Sequence, residues 1–289
     1  MISVITATYN RSKILERCFE SLVRQTIQNF EWIIVDDGSM DDTAETVKEF
    51  QKKCQFNIKY IKKNNGGKHT ALNLAQQYVE GEIICFLDSD DYLTRDAISL
   101  IITYWKKYQS NPNIGVISFL KGYNDKAPII GSVSSEEVES NHIQYRINNK
   151  LKGDMCETVK REVFLKQKFP EFPNENFMSE GWLWVTIAYN YNTVYVNKII
   201  YIAEYLENGL TNQGKKLRLM SPNGGMVNSL VQMGKEINIR HRVKHAILFN
   251  VYFLSSKMNF KSYFLTKYLF IRVITFIPAI FFYNKWRKS

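Results

Sequence analysis

Five short runs rich in β-branched and aromatic residues punctuate the first 120 residues: 2–6 (ISVIT), 31–36 (EWIIVD), 57–61 (NIKYI), 82–87 (EIICFL) and 114–119 (IGVISF). Runs of this length and composition fit buried strands. Helical stretches at 12–25, 41–52, 68–79 and 94–109 separate them, and in the first of these Ile14, Leu15, Cys18, Leu22 and Val23 mark one apolar side. Strand alternating with helix predicts an α/β fold, a mostly parallel sheet with helices on both faces. Such sheets bind ligands outside the carboxyl ends of their strands. Four polar clusters fall there: TATYNR, DDGS, NNGGKH and DSDD, after the first four runs in turn.

DSDD is the most demanding of these. Three carboxylates within four positions, at the end of an apolar run, repel one another and lose hydration unless cations, strong donors or a metal offset them. The plainer reading makes Asp90 or Asp91 the cap of a helix starting near Thr94. An EF-hand is excluded, because Tyr92 and Leu93 stand where that loop needs Asp or Asn and then Gly. A Walker A loop is excluded too: Gly67-Lys68 is followed by His69, and Lys62 stands where the first glycine belongs. GxGxxG is absent, so a bound phosphate would be held by metal and side chains.

At 289 residues with 45% hydrophobic content, the chain has material for a full core. Cys18, Cys54, Cys85 and Cys156 form no CxxC pair, which suits reduced thiols of a cytoplasmic protein. His241 and His245 are four apart, but Arg242 stands where HExxH needs its glutamate, so both histidines read as solvated. The start, MISVITATYN, lacks a basic segment followed by a long apolar one, and no signal peptide is expected.

Basic charge is concentrated at the end of the chain. From Gly214 to Ser289 there are fourteen Lys or Arg against one acid, Glu236, a net of +13, so the first 213 residues carry −3 of the total +10. Within this tail YLFIRVITFIPAIFFY, residues 268–283, is shorter than the roughly 20 residues needed to span a bilayer and contains Arg272 and Pro278. Helices lying in a membrane interface fit it. A helical subdomain packed on the core or on a second subunit is the alternative. No RNA-binding signature accompanies the basic charge, so no nucleic acid partner is expected.

Taken together, SVITATYNR, WIIVDDGSMDDT, NNGGKHTALNLA and FLDSDDYL, in this order, resemble the nucleotide-sugar domain of family 2 glycosyltransferases. The resemblance is strong over residues 2–120 and looser over 150–212. It implies the GT-A (Rossmann-like) fold, with 1–120 as the nucleotide-sugar-binding half, 121–213 as the acceptor-side half and 214–289 as a basic, aromatic-rich helical C-terminal extension. It further implies that Ala7, Tyr9 and Arg11 line a uridine pocket, with Ala7 in place of a common proline, and that Asp37 bonds the uracil edge. Lys68 would approach the diphosphate, Asp88 the ribose or sugar, and Asp90 a Mg²⁺ or Mn²⁺ ion bridging the diphosphate. The family's carboxylate base falls in NENFMSEGWLWVTIAYNY, residues 174–191, where Glu180 matches and Glu175 is the alternative. Gly181 replaces the aspartate that many relatives carry. YLENGLTNQG, residues 205–214, reads as a loop over the site, with Lys215, Lys216 and Arg218 after it.

These expectations describe an inverting transferase. It would move a sugar from a UDP-sugar to a glycan or lipid-linked acceptor for a surface polysaccharide such as capsule, on the cytoplasmic face of the membrane. A catalytically inactive relative that binds membrane or glycan is the competing expectation, and Gly181 favours it.

Overall fold

A computed structural model describes residues 1–129, 135–151, 153–203 and 214–288. Residues 204–213, and with them most of the expected loop at 205–214, lie outside the described residues.

The expected strands form. β1 (Ile2–Thr8) pairs in parallel with β2 (Phe30–Asp36) and β4 (Ile83–Phe86), and β2 pairs in parallel with β3 (Asn57–Lys62). Every residue of β2, FEWIIVD, is buried, as its β-branched and aromatic content requires. Beyond β4 the chain changes direction: β8 (Met155–Lys160) runs antiparallel between β4 and β6 (Ile114–Gly122). β9 (Asn192–Ile202) lies parallel to β6 and accepts β5 (Tyr92–Leu93) and β7 (Glu137–Ser140) as antiparallel neighbours. Among the described residues the nine strands form one sheet, ordered β3-β2-β1-β4-β8-β6-β9-β5 with β7 beside β9. The α/β, GT-A-like expectation holds.

α1 (Leu15–Val23), α2 (Thr43–Lys53), α3 (Lys68–Ala75) and α4 (Ala97–Tyr108) connect the early strands, and the short α5 (Arg161–Leu165) follows β8. Phe19 of α1 stacks on Phe50 of α2 with centroids 4.1 Å apart, and Trp32 of β2 lies 6.3 Å from Phe19. The buried indole of Trp32 donates to Thr6 Oγ1 at 2.9 Å, so the core carries no unpaired N–H there. Each large apolar side chain buried this way contributes about 1.5–3 kcal/mol, which is why the spacing of such residues decides the element order.

One boundary differs from the sequence reading. The helix expected from Thr94 begins at Ala97, because Tyr92 and Leu93 form β5 and the Thr94 amide donates to the Ile200 carbonyl at 2.9 Å. Neither Asp90 nor Asp91 caps that helix; the residue at its N-cap is Asp96.

The chain divides into two units, Met1–Asn141 with Leu151–Lys168 and Asn190–Leu206, and His142–Lys150 with Phe169–Tyr189 and Glu207–Ser289. The first holds the sheet. The second contains α6 (Gly181–Ala188), α7 (Gly214–Met220), α8 (Pro222–Val231), α9 (Ile239–Ser255), α10 (Phe260–Leu265), α11 (Leu269–Ile274) and α12 (Phe276–Lys288). Its small core gathers Met226, Met233, Phe249, Tyr252, Phe253 and Tyr263. Arg272 is fully buried in it: the guanidinium lies 4.5 Å from the Phe249 ring and 4.4 Å from Tyr263, and donates to the Tyr263, Thr266 and Lys267 carbonyls at 2.7–3.0 Å. The arginine that interrupts the apolar stretch of the tail is thus a buried staple.

The histidines also differ from expectation. His245 is buried, and His241, stacked on it at 4.5 Å, bonds the Gln232 amide oxygen at 2.9 Å. Burial first, and the nearby Lys244 charge second, lower the His241 imidazole to about 4. They pack rather than face water, because α9 turns them toward the helical core. All four cysteines are free thiols. No helix among the described residues is long and apolar enough to cross a membrane.

Candidate active site

The parallel order β3-β2-β1-β4 carries four strand ends to one edge of the sheet, and side chains lace the loops there together. Asn10, in the left-handed region at φ 52°, receives a hydrogen bond from the Met40 amide on its Oδ1 and donates its own N–H to Ser39 Oγ, both at 2.8 Å. Asp37 fastens the next loop: its carboxylate accepts from the Gly66 and Gly67 amides at 3.0 and 2.7 Å and from Lys63 Nζ at 2.8 Å. Gly38 holds φ +90° where an added Cβ would lie 2.9 Å from the Asn65 amide nitrogen, so the close approach of the two loops needs a glycine. Between them, residues 38–40 and 62–65 line a pocket of ≈ 650 Å³.

DSDD sits beside these loops, and each of its aspartates has its own partner. Arg11 Nη1 lies 2.5 Å from Asp90 Oδ2. Lys68, at the start of α3, is ion-paired with Asp88, and Lys121 Nζ at the end of β6 lies 3.8 Å from the other Asp88 oxygen. Burial alone would raise the Asp88 carboxyl, but the Lys68 and Lys121 charges and the hydrogen bond from Lys68 hold it well below the usual carboxylate range. Buried Asp91 accepts from the Tyr201 hydroxyl at 2.7 Å, and that hydroxyl accepts the Asp88 amide at 3.0 Å. Burial, then Asp88 and Asp91, push the Tyr201 phenol far up, so it remains a donor. Cations and donors thus offset the crowded acids.

Of the residues singled out from sequence, the structure brings together Arg11 with Asp90 and Lys68 with Asp88. Ala7 is half-buried at the end of β1, and Tyr9 is 44% exposed just beyond it. Lys63, Lys121 and Tyr201 were not anticipated. Lys121 follows IGVISFL directly, so extending the strand-end logic to a fifth strand finds it; Tyr201 carries no such signal, since it reaches DSDD from β9, 110 residues later.

Among the described residues no group of three or more His, Cys, Asp or Glu could hold a metal. Asp90 still offers a hard oxygen ligand on a partly exposed loop, its side chain 20% exposed. Such a ligand fits a divalent ion that keeps several waters and takes its other oxygens from a diphosphate.

Glu180 and Glu175 belong to the helical unit. Glu180 is half-buried at the N-cap of α6, where its carbonyl accepts the Leu183 amide at 2.9 Å. Gly181 opens that helix, and a Cβ there would lie 3.3 Å from Ser179 Oγ and 3.4 Å from Gln232 Nε2. Glu175 is buried and committed: Oε1 accepts the amide and side-chain N–H of Asn223 at 2.9 and 2.7 Å, and Oε2 accepts the Gly224 amide at 2.9 Å, all at the N-terminus of α8.

A family model for glycosyl transferase family 2 matches residues 3–162, more than half of the chain, and the chain belongs to that family. It is 28% identical over 190 residues to the poly(ribitol-phosphate) β-N-acetylglucosaminyltransferase TarS of Staphylococcus aureus, a match covering 65% of this chain and 32% of that protein. It is 33% identical over 114 residues to the glycosyltransferase GlyA of Streptococcus pneumoniae, covering 39% of this chain and 16% of that protein. The chain therefore spans a third or less of these relatives. Among solved structures, S. aureus TarS 1–349 in complex with UDP-GlcNAc superposes with a TM-score of 0.67 at 19% identity, covering 99% of this chain and 81% of that one. The mannosyltransferase PcManGT of Pyrobaculum calidifontis, in complex with GDP-Man and Mn²⁺, gives 0.61 at 16% identity, covering 100% and 88%. At these identities the likeness speaks for the fold.

Proposed function

We propose that this chain is a metal-dependent, inverting glycosyltransferase that moves a sugar from a UDP-sugar to a hydroxyl of a glycan or lipid-linked glycan. It would work in cell-surface polysaccharide synthesis, peripherally on the cytoplasmic face of the membrane. The observation that carries the reading is the set of charges at the sheet edge: Lys68, Lys121 and Arg11 already stand against Asp88 and Asp90. The complexes of TarS with UDP-GlcNAc and of PcManGT with Mn²⁺ support the choice of donor and ion.

The roles proposed rest on the family resemblance and on the partners each side chain has within its own unit. Ala7, Tyr9 and Arg11 border the uridine, with exposed Tyr9 suited to stacking on the base. Asp37 keeps one acceptor place, on Oδ2, for the uracil N–H, since each carboxylate oxygen can accept twice and Oδ1 already does. Lys68 turns from Asp88 to the diphosphate, and Lys121 stays with Asp88 so that this carboxylate can orient the ribose or sugar. Asp90 would hold Mg²⁺ or Mn²⁺, which when bound supplies Lewis-acid stabilisation of the departing diphosphate. Glu180 accepts the proton of the attacking hydroxyl. Displacement in one step inverts the anomeric centre.

The test is release of UDP from a panel of UDP-sugars by the purified protein with Mn²⁺ or Mg²⁺. At least one donor is expected to turn over above background and, at about 100 times its dissociation constant, to stabilise the fold by about 2.7 kcal/mol. Stabilisation without turnover would favour the second reading, an inactive glycan- or membrane-binding relative, for which Gly181 is the specific support. Lys121→Met is expected to cut donor turnover by about tenfold or more while UDP alone binds nearly as in wild type, with Lys121→Arg recovering part of the loss. Equal loss of UDP binding would assign Lys121 to the diphosphate instead.

A further inference from the structure

The last three helices pack one side inward and leave large apolar residues outside. Tyr263, Arg272 and Ala279 are buried, whereas Leu265 is 80% exposed, Phe270 81%, Ile274 61%, Ile277 80% and Phe281 66%. These residues are not scattered. Phe270 and Ile274 are four apart in α11, and Ile277 and Phe281 are four apart in α12, so each pair lies along one side of its helix. Large apolar residues held outward in helical register mark an interaction surface.

The surrounding charge selects the partner. Lys257, Lys261, Lys267, Lys285 and Arg287 are exposed in the same segment, and no Asp or Glu follows Glu236. A second copy of the chain would bring the same positive charge against this face with no acid of the segment to answer it. A bilayer with anionic headgroups offers both things the surface lacks, apolar depth for the aromatic and aliphatic side chains and negative charge for the lysines.

We infer that α10–α12 form a lipid-docking surface in which Leu265, Phe270, Ile274, Ile277 and Phe281 enter the headgroup boundary of an anionic bilayer while the flanking lysines meet lipid phosphates. This deepens the membrane-surface part of the proposed function and stands apart from its sugar chemistry, because it concerns only the helical unit. It also accounts for the two characters of the tail: Arg272 and the aromatic residues around it form the platform, and the outward residues form the contact.

The experiment uses the full chain and co-sedimentation with phosphatidylcholine vesicles, with and without phosphatidylglycerol. Binding is expected only to the anionic vesicles, weakened but not abolished in roughly 1 M salt, where the Debye length is about 3 Å. Phe270→Ser, Ile277→Ser and Phe281→Ser combined change only exposed positions and are expected to weaken binding by at least about a hundredfold with the circular dichroism spectrum unchanged. Should that variant misfold, Lys257→Gln, Lys261→Gln and Lys267→Gln combined are expected to lower low-salt binding while leaving the apolar face intact. The inference is overturned if the wild type ignores anionic vesicles, if high salt releases it completely, or if the serine variant binds as wild type. It is equally overturned if the wild type is an oligomer that the serine variant converts to monomers without any vesicle binding. Lack of sugar transfer alongside firm vesicle binding would remove the enzymatic reading and leave this one standing.

Discussion

Asp90→Asn is expected to lower metal-dependent donor turnover by about a hundredfold or more while shifting the unfolding free energy by less than about 1 kcal/mol. The two effects separate because the residue plays two unequal parts. For stability, Asp90 contributes a partly exposed ion pair with Arg11, its side chain 20% exposed, and such pairs are worth little. For chemistry it is the carboxylate proposed to hold the divalent ion: among the described residues its ion pair is with Arg11 alone, whereas Asp88 is engaged by both Lys68 and Lys121 and buried Asp91 by Tyr201. Asparagine keeps the volume and removes the charge that draws the ion. Turnover measured across a Mn²⁺ titration, beside urea unfolding of the same protein, provides both readouts. Undiminished turnover in saturating Mn²⁺ would remove Asp90 from the metal site. A large loss of stability would mean that the Arg11 pair holds the loop more firmly than its exposure implies.

The sheet was legible in the sequence because burial on both faces demands a local signature. FEWIIVD and EIICFL carry it in consecutive residues, and the helices between them show an apolar side such as Leu15, Cys18 and Leu22. The strand ends were legible for the same reason, since the apolar run stops where the ligand edge begins. What failed to show was anything decided by a partner far along the chain. β5 is two residues long and exists because β9 receives it about 110 residues later. Asp91 looked like a helix cap until Tyr201 supplied its donor. Glu175 stood in sequence as the alternative to Glu180, with nothing to show that α8, nearly fifty residues on, takes up both of its oxygens. His241 and His245 read as solvated because Arg242 denies them the HExxH pattern, and only the direction in which α9 faces its core decides otherwise.

That difference between two glutamates leads to the second large effect. Glu180→Gln is expected to slow sugar transfer by about 10² to 10⁴, the usual contribution of a general base, with UDP affinity and stability close to wild type. Glutamine preserves the size of the side chain and the N-cap backbone geometry of α6 but cannot take a proton. Glu175→Gln should do the reverse. Its carboxylate accepts two amides and a side-chain N–H at the start of α8, and glutamine has one oxygen where two are used, so a loss of about 1–3 kcal/mol in stability is expected. The transfer rate per folded molecule should change little, because both oxygens of Glu175 are taken up by N–H donors of α8. Single-turnover transfer, UDP binding and urea unfolding, measured on both variants, form a crossed design in which each residue controls the quantity the other leaves alone. If Glu180→Gln turns over normally and Glu175→Gln does not, the base is Glu175, and the N-terminus of α8 would have to release it during the reaction.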